Sequence, residues 1–223
     1  MDAHRLDEVL QARLDGRRLL DHPFYQRWSR GEVSVEELRA YAAQYRHFEA
    51  ALPSHLESIA AATPAGLRAQ ALRNLEDETG HLALFDGFAT ALGEPREDAP
   101  SPAMSRLLDV YAQARSSSAA EGFAALLAYE AQSPEVAASK AHGLREHGIL
   151  DGDGLRFWDL HATLDRDHAA WALDALSATD ADVEVLGDSI AAAADAWWSF
   201  LDERQGGALA NAGAGGVPPN GRA

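Results

Sequence analysis

Leu160-His161-Ala162-Thr163-Leu164-Asp165-Arg166-Asp167-His168 sets two histidines and a carboxylate at i, i+4 and i+7. At about 100° per residue these three side chains fall within about 60° of one another on a helix. The same stripe carries Trp158, Leu164, Trp171, Ala172 and Leu176, whereas Asp159, Thr163, Arg166 and Asp167 occupy the opposite side. The ligand-type residues thus lie on the face that should enter the core. A buried carboxylate beside two buried imidazoles is costly unless something pairs with it. A metal ion is one partner that fits mixed oxygen and nitrogen donors. A hydrogen-bonded Asp–His cluster in an ordinary core is the other reading.

Working outward, the periodicity is helical throughout, and no segment shows sustained β-branched alternation. Leu6, Val9, Leu10 and Leu14 mark a first helix, and a short one surrounds Phe24 to Trp28. Ser34-Val35-Glu36-Glu37 has the form of a capping box and opens a long helix to residue 62, with Pro53 expected to kink it. Further helices are expected over about 66–92, 103–114, 119–147 (kinked near Pro134), 154–176 and 181–203, with a proline-rich loop over 94–102. The expected architecture is therefore all-α, one helical domain over 1–205 of about seven or eight helices. The Gly/Ala/Pro/Asn stretch 206–223 has almost no anchor residues and is expected to be disordered.

Composition bounds the function. A chain of 223 residues with 47% hydrophobic residues can bury one sizeable core. The net charge of −16 argues against phosphate backbones and anionic lipid as partners. With no cysteine, thiolate zinc sites and iron–sulfur clusters are excluded, so any metal is held by oxygen and nitrogen. No run approaches the roughly 18 apolar residues of a membrane span, and the N-terminus lacks a signal-peptide pattern. A cytoplasmic protein is the expectation.

Two more segments carry ligand types inward. Glu78 and His81 form a Glu-x-x-His pair, a recurrent half-site of di-iron helical bundles; a solvated acidic patch reads the same residues without chemistry. Glu130 lies in the nearly apolar run Phe123-Ala124-Ala125-Leu126-Leu127-Ala128-Tyr129-Glu130-Ala131. Lone buried acids are rare, which favours a metal-bridging or hydrogen-bonded role. Three carboxylates (Glu78, Glu130, Asp165) and three imidazoles (His81, His161, His168) would suit two iron or manganese ions.

This set resembles the heme-oxygenase-like di-iron oxidases, which share their fold with TenA thiaminases and PqqC. Within that group it is similar to the branch of the chlamydial protein that associates with death domains. The resemblance covers roughly residues 18 to 203. It rests on His22-Pro23-Phe24-Tyr25-Gln26-Arg27-Trp28-Ser29-Arg30-Gly31-Glu32, on Asn74-Leu75-Glu76-Asp77-Glu78, on Tyr129-Glu130-Ala131-Gln132-Ser133-Pro134, and on the triplet. One departure is the short Glu78-x-x-His81 spacing, where the chlamydial branch has four more residues.

The resemblance implies two Fe(II) ions (or Mn/Fe), O2 as co-substrate, an external reductant and a homodimer. It assigns Glu78, His81 and His161 largely to one ion and Asp165 and His168 to the other, with Glu130 bridging or completing the pair. It further implies formation of p-aminobenzoate from an internal tyrosine, at Tyr25, with Lys140 as amine donor. Lys140 is the only lysine in the chain. The residues by themselves leave open that Tyr25 is a core aromatic and that Lys140 snorkels to the surface. Other chemistries of the group are N-oxygenation, desaturation and oxidative C–C cleavage of a small amine, amino acid or fatty acid. A metal-free PqqC-like oxidase and a helical interaction protein are the readings from other classes.

Overall fold

A computed structural model of the chain describes residues 2–62, 65–93 and 97–214. All regular structure among them is helical: α1 (Ala3–Leu14), α2 (Pro23–Ser29), α3 (Val35–Ala62), α4 (Ala65–Glu78), α5 (His81–Ala91), α6 (Pro102–Ser117), α7 (Ala119–Glu130), α8 (Ser133–Glu146), α9 (Arg156–Ser177) and α10 (Val183–Ala214). Short 3-10 turns occupy Leu19–Asp21 and Gly152–Leu155. No helix of the described residues is long and apolar enough to cross a membrane.

Local chemistry accounts for the helix starts. Ser34 and Glu37 form the reciprocal capping box, with Glu37 N–H donating to Ser34 Oγ at 3.2 Å and Ser34 N–H to Glu37 Oε2 at 2.8 Å. Ser101 and Ser118 cap α6 and α7 through the amides of Met104 and Glu121. His22 caps α2 by accepting from Phe24 N–H at 3.1 Å, with Pro23 in the first turn. The His-Pro-Phe segment is therefore a structural helix start.

Two expected helices are each divided, and both divisions shape the centre described below. The 66–92 segment breaks at Gly80, whose φ of 121° lies where side-chain-bearing residues rarely go. The 119–147 segment ends at Glu130 and restarts at Ser133. Pro134 explains this, because a proline ring clashes with the carbonyl four residues earlier, here that of Glu130. Pro53, by contrast, sits inside the uninterrupted α3. At the C-terminus α10 continues to Ala214, into the stretch expected to lack structure. The remainder of that stretch, 215–223, lies outside the described residues.

One hydrophobic core runs from Leu6 to Leu201. Its axis is α7, in which every residue from Gly122 to Glu130 is buried, with α3, α6, α9 and α10 packed around it.

Candidate metal centre

The α9 triplet points inward as its phase requires: His161, Asp165 and His168 are buried, while Asp159, Thr163, Arg166 and Asp167 are exposed. Trp158, Ala172 and Leu176 share the buried stripe, and Leu164 and Trp171 are half-buried at its margins. Glu78, His81 and Glu130 are buried too. Because of the two helix breaks the six candidates come from four helices. Glu78 closes α4, His81 opens α5, Glu130 closes α7, and α9 supplies the rest.

Their atoms form two overlapping trios, Glu78–His81–His161 and Glu78–Asp165–His168, each with ligand atoms within 4.8 Å of one another. Glu78 Oε2 lies 2.7 Å from His81 Nδ1. Its other oxygen, Oε1, lies 3.6 Å from His168 Nδ1, which is also 3.6 Å from Asp165 Oδ1. The rings of His81 and His161 are 4.6 Å apart. His161 donates from Nδ1 to the Phe157 carbonyl at 2.8 Å, which leaves Nε2 for the centre. Glu78, rather than Glu130, is thus the carboxylate common to both trios.

Electrostatics in the cluster are unbalanced without a cation. Burial pushes the Glu78 and Glu130 carboxyls well above the usual range, reinforced by the Asp165 charge beside each. Burial raises Asp165 to about 6, opposed by hydrogen bonding to Ser133 and by His168. His161 is driven down to about 3, mainly by desolvation. Glu78 and Glu130 also end their helices, where the macrodipole opposes an anion. Two buried atoms here, Glu130 Oε2 and His168 Nδ1, have no hydrogen-bond partner. Orphaned acceptors and converging carboxylates around imidazoles fit a hard or borderline divalent ion.

Beside the cluster lies an aromatic chamber holding one amine. Lys140 on α8 is 2% exposed. Its Nζ is 4.0 Å from the Trp158 ring centroid, 4.6 Å from that of Tyr25, and 5.0 Å from those of Tyr41 and Tyr45. Nζ donates to the Tyr41 hydroxyl at 2.8 Å, and that hydroxyl is 2.9 Å from the hydroxyl of Tyr25. Desolvation lowers the lysine pKa well below its ordinary value, so the nitrogen is held toward its neutral, nucleophilic form. Lys140 does not snorkel.

The family model described as an iron-containing redox enzyme matches residues 39–201. The 4-aminobenzoate synthase of Nitrosomonas europaea is 35% identical, covering 89% of this chain and 88% of that one. The 4-aminobenzoate synthase of Chlamydia pneumoniae is 32% identical over 73% of this chain and 77% of its own. The chain belongs to the iron-containing redox enzyme family. Its fold is that of the heme-oxygenase-like proteins. A TenA homologue from Pseudomonas syringae superposes with a TM-score of 0.78 at 18% identity, covering 92% of this chain and 95% of that one. A CADD-like protein from Nostoc punctiforme gives 0.73 at 21%, covering 91% and 96%.

Three further polar side chains beyond the six candidates, Glu49, Asp77 and Tyr129, lie beside the centre of this iron-containing redox enzyme. Glu49 on α3 is 4% exposed. Burial lifts its carboxyl to about 8, helped by Glu78 and opposed by His81 and by hydrogen bonding to Tyr45. The signal was present: Tyr41, Tyr45 and Glu49 repeat every four residues along the buried face of α3. Four buried carboxylates (Glu49, Glu78, Glu130, Asp165) would, ionised, offset the charge of two divalent cations. Asp77, beside Glu78, reaches His168 Nε2 at 3.3 Å. Tyr129, next to Glu130, shares a 2.5 Å hydrogen bond with Tyr45.

Proposed function

We propose that this enzyme makes 4-aminobenzoate from its own Tyr25, taking the nitrogen of Lys140. Glu78, His81 and His161 would hold one metal ion, Glu78, Asp165 and His168 the other, and Glu130 would complete the pair. The ions are two Fe(II) or Mn and Fe, with O2 and an external reductant as co-reactants. When bound, such a pair supplies the electrons and Lewis acidity for using O2.

What carries this reading is the hydrogen-bonded line Lys140 Nζ–Tyr41 Oη–Tyr25 Oη, with spacings of 2.8 and 2.9 Å. If the product keeps the tyrosine ring and its Cβ as carboxyl carbon, the Cα–Cβ bond of Tyr25 and the Cε–Nζ bond of Lys140 break, O2 is the oxidant for Cβ, and nitrogen replaces the para oxygen, which leaves as water. The amine must therefore arrive at the hydroxyl end of the ring, and the Tyr41 hydroxyl, hydrogen-bonded to both Nζ and the Tyr25 hydroxyl, supports that approach. Desolvation frees its lone pair, and the Trp28, Tyr41, Tyr45 and Trp158 walls keep water from competing. Burial also raises the Tyr25 hydroxyl pKa, so Tyr25 stays protonated until it is oxidised. The Nitrosomonas and Chlamydia relatives above are named 4-aminobenzoate synthase.

The test uses the single lysine. Protein grown with ε-15N-lysine, loaded with iron, reduced and exposed to O2 should release 15N-labelled 4-aminobenzoate in a single turnover. Peptide mass spectrometry should show side-chain loss at Tyr25. O2 consumption with an unchanged protein mass would overturn the proposal and point to an external amine or carboxylate substrate.

A further inference from the structure

We infer that Asp77 is the positioning residue of the second metal ligand set: it fixes His168 so that Nδ1, not Nε2, faces the ion. The inference rests on the metal reading proposed above and adds to it an asymmetry between the two halves of the centre.

His168 is fully buried. Its Nε2 has one acceptor, Asp77 Oδ2 at 3.3 Å, and its Nδ1 has no hydrogen-bond partner. That orphaned nitrogen lies 3.6 Å from both Glu78 Oε1 and Asp165 Oδ1. Two donors about 2.1 Å from one ion can be at most about 4.2 Å apart, and both 3.6 Å separations from Nδ1 fall inside that reach. A neutral imidazole carries a single N–H. An anionic acceptor at Nε2 draws that hydrogen there and leaves the Nδ1 lone pair on the side of the carboxylates.

The other half of the centre is supported differently. His161 gives its Nδ1–H to the neutral Phe157 carbonyl at 2.8 Å and is left with Nε2. The two histidines therefore ligate through opposite nitrogens. The His168 ring is oriented by a carboxylate, whereas the His161 ring has only a peptide dipole. Asp77 is also half-exposed, with 37% of its side chain accessible, so this anion needs no full desolvation to serve. It precedes Glu78 in the last turn of α4, so one short segment supplies both the carboxylate shared by the two trios and the one that orients His168.

Zn(II) is the probe, because it is diamagnetic and accepts the same donors. Calorimetric titration of the metal-free protein should show two equivalents. Asp77→Ala should weaken one of them by about 10- to 100-fold and leave the other unchanged. Asp77→Asn should fall between, since its amide oxygen accepts the same N–H without the charge. Long-range 1H–15N spectra of the Zn(II) form should show His168 coordinated at Nδ1 and protonated at Nε2. The unfolding midpoint of metal-free Asp77→Ala should match the parent, which separates orientation from folding. Unchanged affinities in Asp77→Ala, or coordination of His168 through Nε2, would overturn this role while leaving the metal centre standing. A parent protein that takes up no Zn(II), Fe(II) or Mn(II) would overturn the metal reading itself, and this role with it.

Discussion

Nζ of Lys140 sits 4.6 Å from the centroid of the Tyr25 ring and gives its hydrogen bond to the Tyr41 hydroxyl. A buried amine held this way costs the fold stability, because burial depresses its pKa. A depressed folded pKa means that stability is lost as pH falls through that value, while the unfolded chain binds the proton freely. Lys140→Met should therefore abolish 4-aminobenzoate release yet raise stability. The gain should be on the order of 1–3 kcal/mol, the cost of burying a polar group short of hydrogen-bond partners. Urea unfolding of the metal-free proteins at pH 7 checks this, and a less stable methionine variant would contradict it.

Glu49 provides the pH dependence. Its folded pKa of about 8 lies above the unfolded value of 4.5, so its protonated form stabilises the metal-free fold at low pH. That contribution is lost progressively as pH rises from 4.5 to about 8. Relative to Glu49→Gln, the metal-free parent should lose roughly 1.4 kcal/mol per pH unit across that window. Unfolding at pH 5, 6.5 and 8 reads the difference directly, and a difference independent of pH would remove Glu49 from the cluster's electrostatics.

Sharing of Glu78 between the two trios predicts unequal losses of metal. Glu78→Ala should empty most of both positions, whereas His161→Ala and Asp165→Ala should each cost one. Metal counting after equilibration with Fe(II) under argon tests this. Equal stoichiometry in all three variants would mean that Glu78 is not common to the two ions.

Gly143 sets the distance between α8 and α2. A Cβ added there would meet the Trp28 carbonyl oxygen at 2.9 Å and its indole at 3.3 Å. Gly143→Ala should therefore destabilise the protein by about 1–3 kcal/mol through overpacking. It should also reduce product yield more than metal content, because Trp28 donates to the Lys140 carbonyl and walls the amine. Unaltered stability would show that the helices part without cost.

The sequence alone determined the helical class, the phase of α9 and the identity of the six candidate ligands. The phase of α9 depends on spacing alone: residues four and seven apart share a helix face whatever packs against it. It also marked Lys140, as the only lysine, and Pro134 as a disturbance between residues 119 and 147. Glu130 was legible because a charge in an apolar run has nowhere to go but the core.

Tertiary structure decided what spacing along one helix does not encode. The break at Gly80 put Glu78 and His81 on separate helices and made Glu78 the carboxylate common to both trios. Packing of α3 against α5 and α7 brought Glu49 and Tyr45 toward the cluster. The meeting of Lys140, Tyr41 and Tyr25 depends on α8, α3 and α2 converging across sequence separations of 99 and 16. A helix face is a local property of the chain, but the partner of that face, and hence the chemistry it meets, is set only when distant helices bury their apolar stripes together.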